Sequence, residues 1–238
     1  MCGVLGITIA DFNERDYGLV RSLFSQSMIR GKHATGVSYV KNGKVHTIKE
    51  PIPADEFIHK QNLETWKNED GNLYCIGHIR YSTSDLRYNQ PFSTDKVGIV
   101  HNGVISQEPA STWFETYGYI TETENDSELI LRAYEVDDNP LQVFHPASMA
   151  VCVIHSDKRL TAFRNHERPL YYYSDEKMTI FASTKDILNR CNISESVKTR
   201  MFEIYNVNNF IFSHFQMADD KWLKETFNIV DLQKNLKF

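Results

Sequence analysis

Cysteine is sparse in this 238-residue chain, and what there is does not cluster. Cys2, Cys75, Cys152 and Cys191 stand far apart and form no CxxC pair. Neither a zinc site nor a disulfide framework is indicated, so no metal is expected, and a reducing, cytoplasmic setting fits. Long apolar runs are missing as well. None approaches the roughly eighteen residues of a membrane span, and no basic segment precedes the apolar start, which argues against a secretory signal. Positive charge is not in excess: 26 Lys and Arg face 31 Asp and Glu, a net charge of −5. Without a basic stripe, a nucleic-acid or anionic-membrane partner is disfavoured. Gly/Ser linkers, low-complexity segments and internal repeats are also absent.

What is present is an ordinary globular composition, 41% apolar and 24% charged, enough for a sizeable core. Short runs rich in β-branched and aromatic residues recur, among them "GVLGITIA", "LYCIGHI", "VGIVHN", "SMAVCVIH" and "MTIFAS"; these read as strands. "YVKNGKVHT" reads as a hairpin turning at Asn42-Gly43. Helices are predicted over 16–29, 54–67 and 126–136, with a charged amphipathic tail helix over 219–235. Strands joined by short turns, with helices interspersed, predict an α+β sandwich of antiparallel sheets with helices on the outer faces.

Four stretches carry chemistry. The chain opens with Cys2-Gly3. Removal of the methionine would give Cys2 an α-amine of pKa about 8 beside a thiol of pKa about 8.5, so that one residue holds nucleophile and base. Its alternative is a small apolar residue at a strand end. "VHNGVI" at 100–105 reads either as an Asn-Gly turn or as an oxyanion hole formed by the Asn102 amide and the Gly103 N–H. "GHIRYSTSD" at 77–85 puts Arg80 before a hydroxyl-rich turn, which suits a carboxylate ligand or a structural loop equally. "ENDSELI" at 124–130 puts Asp126 near a helix start, as a cap or as a partner for an ammonium group.

Taken together and in order, these stretches resemble the glutaminase domain of class II glutamine amidotransferases, which are N-terminal-nucleophile hydrolases. Further matches are "RGKHATG" at 30–36, "NQPF" at 89–92, "RPLYY" at 168–172 and "FAST" at 181–184. The resemblance spans about residues 2–190 and is nearest to the glucosamine-6-phosphate synthase and amidophosphoribosyltransferase branches. It implies a four-layer αββα sandwich and hydrolysis of the L-glutamine side-chain amide through a cysteinyl thioester, with no cofactor. It implies Cys2 as nucleophile and Arg30 as an ordering residue beside it. Arg80 and Thr83 would hold the α-carboxylate, Asn102 and Gly103 the oxyanion, and Asp126 the α-ammonium. His101 reads as a structural histidine orienting the "HNG" segment. The expected organisation is one amidotransferase domain over 2–215 and a helical tail over 216–238, without a second catalytic domain. A separate synthase subunit is then the candidate consumer of ammonia. The chain departs from the family at His33, Tyr81 and Ser84, where the resemblance leads one to expect an acid, a tryptophan and a histidine. The departures bear on closure over glutamine, and they leave room for another N-terminal-nucleophile amidase or for a non-catalytic regulatory domain.

Overall fold

Fourteen strands arranged in two antiparallel sheets are laid down by the described residues of the computed structural model: 1–82, 86–166, 168–218 and 221–226. In chain order the strands are β1 (Gly3–Ile9), β2 (Ala34–Lys41), β3 (Lys44–Glu50), β4 (Leu73–Arg80), β5 (Phe92–Ser93), β6 (Val97–Val104) and β7 (Ser148–His155), then β8 (Arg159–Arg164), β9 (Tyr171–Ser174), β10 (Met178–Ala182), β11 (Val197–Lys198), β12 (Glu203–Asn208), β13 (Ile211–Ala218) and β14 (Lys221–Thr226). One sheet runs β11-β9-β10-β1-β4-β2-β3 and the other β14-β13-β12-β8-β7-β6-β5. The β2–β3 hairpin turns at Asn42 and Gly43, whose φ values of 51° and 67° are those a tight two-residue turn demands.

Three apolar layers hold the sandwich together. Val4, Tyr74, Ile76, Val100, Cys152 and Phe181 belong to the core between the sheets. On the outer face of the first sheet lie α1 (Glu14–Gln26) and α2 (Ala54–Lys60), with Phe24, Phe57 and Trp66 fully buried beneath. The outer face of the second sheet is covered by α3 (Trp113–Tyr117), α4 (Glu128–Glu135) and α5 (Pro140–Val143). A sixth helix, α6 (Lys185–Arg190), joins the first outer layer. This is the four-layer αββα arrangement expected from the sequence.

The differences lie at element ends. Helix α1 begins two residues early because Asn13 and Asp16 form a reciprocal capping box. The segment 54–67 is two elements: Gln61 is extended, and Asn62 caps a separate 3-10 turn at Leu63–Trp66 by accepting from the Glu64 N–H. The tail helix is corrected outright over 221–226. That segment is β14, paired antiparallel to β13 from Ser213↔Thr226 to Ala218↔Lys221. The free edge of β13 offers a full ladder of backbone partners, and this outweighs the helical preference of a short charged segment. The remainder of the tail, 227–238, lies outside the described residues.

Candidate active site

The two sheets bring different parts to one end of the sandwich. From the first come Cys2, directly before β1, and His78 and Arg80 at the end of β4. The second supplies Asn102 and Gly103 at the end of β6. A cleft of about 610 Å³ opens there, and Cys2, His78, Arg80, Gly103, Trp113 and Asp126 are among its lining residues.

Cys2 is half-buried. Its backbone N–H donates to Asn102 Oδ1 at 3.1 Å, and its thiol faces the Tyr81 carbonyl at 3.8 Å. Arg30 ends the 3-10 turn after α1 and reaches Cys2 from behind the cleft wall, Nε donating to the Cys2 carbonyl at 3.3 Å. Burial, reinforced by Arg168, pushes the Arg30 guanidinium below its usual range, while Cys2 pulls the other way.

The Asn-Gly pair is no turn: both residues lie inside β6. The Asn102 side chain is 3% exposed. With Oδ1 occupied by Cys2, its Nδ2 is a buried donor without a partner among the described residues, the costly condition that an arriving acceptor relieves. Gly103 is explained by the edge of the sheet. Strand β5 covers β6 only at Gly98 and Ile99, leaving the edge open beyond. There the His101 N–H is taken by Gln90 Oε1 at 2.6 Å and the Ile105 N–H by Asp126 Oδ2 at 2.6 Å. Alternate residues of a strand point their N–H groups the same way, so the Gly103 N–H lies on that edge between them, at the cleft. A Cβ on Gly103 would sit 1.9 Å from the Ser148 carbonyl oxygen, so only glycine fits.

Asp126 does not cap α4. Its Oδ2 accepts from Ile105 and Ser106, which ties the loop after β6 to the helix start and holds the carboxylate at the cleft wall. Arg80 is 8% exposed and lines the cleft; its Nη1 donates to the Tyr88 carbonyl and to Asn89 Oδ1 at 2.9 and 2.6 Å. Thr83 and Ser84 lie outside the described residues.

The sequence reading assigned no role to Asn89, Gln90, Ser127 or His78. Asn89 aims Arg80. Gln90 brackets His101, its Oε1 accepting from the His101 N–H and its Nε2 donating to the His101 carbonyl and to Ser127 Oγ. The "NQPF" motif pointed to this loop but not to what its polar side chains grip. His101 is buried; its Nε2 faces the Ser148 carbonyl and its Nδ1 the Ser127 hydroxyl. Burial pushes its imidazole below the usual histidine range, although Asp126 opposes the shift. His78 is held down to about 3, by burial first and then by Arg80 and His101. Both histidines are therefore neutral at physiological pH, and neither is placed to serve as a strong base.

Residues 78–190 match the glutamine amidotransferase domain family. A glutamine--fructose-6-phosphate aminotransferase (isomerizing) of Bartonella henselae is 34% identical over 140 residues, which cover 55% of this chain and 21% of that protein. The fold is shared with the glutamine phosphoribosylpyrophosphate amidotransferase of B. subtilis, at a TM-score of 0.65 and 18% identity over 96% of this chain and 50% of that one. It is also shared with a glutamine aminotransferase class-II domain protein of Silicibacter pomeroyi, at 0.53 and 11% over 92% of this chain and all of that one. Over the matched residues the chain is similar to glutamine amidotransferases, and it shares its fold with a class-II domain protein. It spans about a fifth of the length of the Bartonella aminotransferase and half of the B. subtilis chain. No described helix is long and apolar enough to cross a membrane.

Proposed function

We propose that this domain hydrolyses the side-chain amide of L-glutamine, with Cys2 as the N-terminal nucleophile once Met1 is removed. The observation that carries the reading is the pairing of Cys2 N with Asn102 Oδ1, which leaves Asn102 Nδ2 a buried donor with no partner among the described residues, beside the proposed nucleophile. Met1 is 64% exposed, so a processing enzyme can reach it.

In this reading Arg80 receives the α-carboxylate of glutamine, with Thr83 as its proposed helper, and Asp126 receives the α-ammonium. The side-chain amide then lies against Cys2. The freed α-amine takes the thiol proton, and Sγ attacks the amide carbon. The carbonyl oxygen becomes negative against Asn102 Nδ2 and the Gly103 N–H; losing one such donor typically costs about 3–4 kcal/mol of transition-state stabilisation. The protonated amine gives its proton to the departing nitrogen, so ammonia leaves and a glutamyl thioester remains. Water, deprotonated by the same amine, attacks the thioester and releases glutamate. Arg30 holds the Cys2 carbonyl, fixing the backbone from which thiol and amine project. The ammonia is proposed to pass to a synthase on a separate subunit.

The test is ammonia release from glutamine, asparagine and simple acyl amides, with the N-terminal residue of the active protein read by mass spectrometry. Release from glutamine alone, by protein beginning at Cys2, is expected. Equal release from simple acyl amides would favour a different N-terminal-nucleophile amidase. Turnover by protein that keeps Met1 would overturn the mechanism, because a peptide nitrogen is no base at neutral pH. Asp126→Ala is expected to raise KM for glutamine far more than it lowers kcat.

A further inference from the structure

His33 stands where the family resemblance leads one to expect an acid, and the structure gives it a specific task. Gly31 lets the backbone before His33 lie flat on the end of β4: a Cβ there would fall 2.3 Å from the Arg80 carbonyl carbon. The two segments are then joined in sequence. The His33 N–H donates to the Arg80 carbonyl at 3.0 Å, and the Ser82 N–H donates to His33 Nδ1 at 2.8 Å. Between those bonds the Tyr81 ring packs on the imidazole, 5.3 Å centroid to centroid. The peptide held at both ends carries the Tyr81 carbonyl that faces Cys2 Sγ, and it follows directly on Arg80.

An imidazole nitrogen that accepts a hydrogen bond carries no proton, so this contact needs a neutral ring with its hydrogen on Nε2. A carboxylate, the residue type the resemblance leads one to expect here, would accept the same N–H. Lys32 precedes His33, and Glu50 lies across from Thr35 in the β2–β3 pair. Arg80 and Tyr81 face His33 from the end of β4, and the Cys2 thiol lies beyond Tyr81.

We propose that His33 is a positioning residue for the glutamine site, its neutral imidazole anchoring Ser82 and so fixing Arg80 and the Tyr81 carbonyl against Cys2. The inference rests on the glutaminase reading for its functional consequence, but not for the contact itself. Because the anchor needs an acceptor at Nδ1, glutamine capture weakens when that acceptor is lost.

Two variants test it. His33→Asn places an amide oxygen near the position of Nδ1. His33→Phe keeps a ring against Tyr81 and has no acceptor. His33 is exposed, so both are expected to fold, which thermal melting checks. KM for glutamine should rise about five- to tenfold in His33→Phe, the scale of one lost hydrogen bond, and stay near wild type in His33→Asn. A Phe variant with wild-type KM, or an Asn variant that behaves like Phe, overturns the proposal. The Ser82 amide resonance, followed by NMR, is independent of turnover. It should shift in His33→Phe and stay near its wild-type position in His33→Asn. A resonance unmoved by His33→Phe removes the anchor, whereas one that shifts in His33→Phe alone, in a protein that releases no ammonia, leaves the anchor standing and removes the glutaminase reading.

Discussion

Cys75 and Cys152 are fully buried in apolar surroundings that drive their thiol pKa values far up, and burial lifts Cys191 to about 11. A thiol reacts as its thiolate, so burial suppresses the reactivity of these three, while half-buried Cys2 faces a cleft. Iodoacetamide at neutral pH is expected to modify Cys2 first and to leave Cys75 and Cys152 untouched in folded protein; peptide mapping reads the order, and glutamine should slow the reaction. Asn102→Ala removes the unpartnered Nδ2 and is expected to lower kcat about 10²- to 10³-fold with little change in KM, the pattern of an interaction made mainly in the transition state. That Cys2, Arg80, Asn102, Gly103 and Asp126 meet at one end of the sandwich was legible from sequence, because they belong to short local motifs. The residues that aim them were not. Asn89 grips Arg80 and Gln90 grips His101 across nine and eleven positions, and no local pattern announces a side chain that reaches across a loop to a backbone amide.

Helix α4 shows how an element's end can be built from the wrong-looking residue. The sequence offered Asp126 as a cap, yet Asp126 serves the loop after β6, and it is Glu128 that collects the polar groups nearby. Glu128 is 2% exposed and accepts from the backbone N–H groups of Glu122 and Thr123, from the Thr123 hydroxyl and from Arg132. Burial alone would raise its carboxyl, but these bonds hold it below the ordinary glutamate value. A carboxylate whose folded pKa is depressed contributes stability that is complete above its unfolded pKa of about 4.3 and is lost as pH falls through the lower folded value. Glu128→Gln is therefore expected to be less stable than wild type at pH 7, and the gap should narrow as pH is lowered through 4 toward 3. Urea unfolding at a series of pH values measures it; a gap constant with pH would mean that the carboxylate charge is not what the helix start uses. The break between α2 and the 3-10 turn at Leu63 escaped the sequence reading for a related reason: the apolar spacing continues across the break, while the Asn62 cap interrupts the backbone.

The site is divided between the two halves of the molecule. The proposed nucleophile Cys2 and carboxylate ligand Arg80 are held by one sheet and the proposed oxyanion donors Asn102 and Gly103 by the other, so the proposed catalytic geometry depends on how the sheets are stacked. The layered architecture was legible because period-two runs, short turns and interspersed helices restrict the packing choices; the register of one sheet over the other was not, since it is fixed by contacts distant in sequence. A cluster of aromatic rings supplies many of those contacts. Tyr172 and Phe181 of the first sheet meet Tyr205 and Phe212 of the second, with Tyr172 and Phe212 stacked at 4.9 Å between centroids and Phe181 and Phe212 at 6.5 Å. Phe212 is fully buried and touches three of these rings, Tyr205 being the third, at 5.8 Å. Removing it leaves a cavity on the interface itself, where neither sheet can close the gap without shifting against the other. Phe212→Ala is expected to cost about 3–5 kcal/mol of stability, read as a lower urea midpoint at unchanged slope. Phe212→Leu, which refills most of the volume, should recover more than half of that. If the alanine variant unfolds at the wild-type midpoint, the rings do not hold the sheets together, and the alignment of Cys2 with Asn102 must be maintained at the cleft alone, through the Cys2 N–H bond to Asn102.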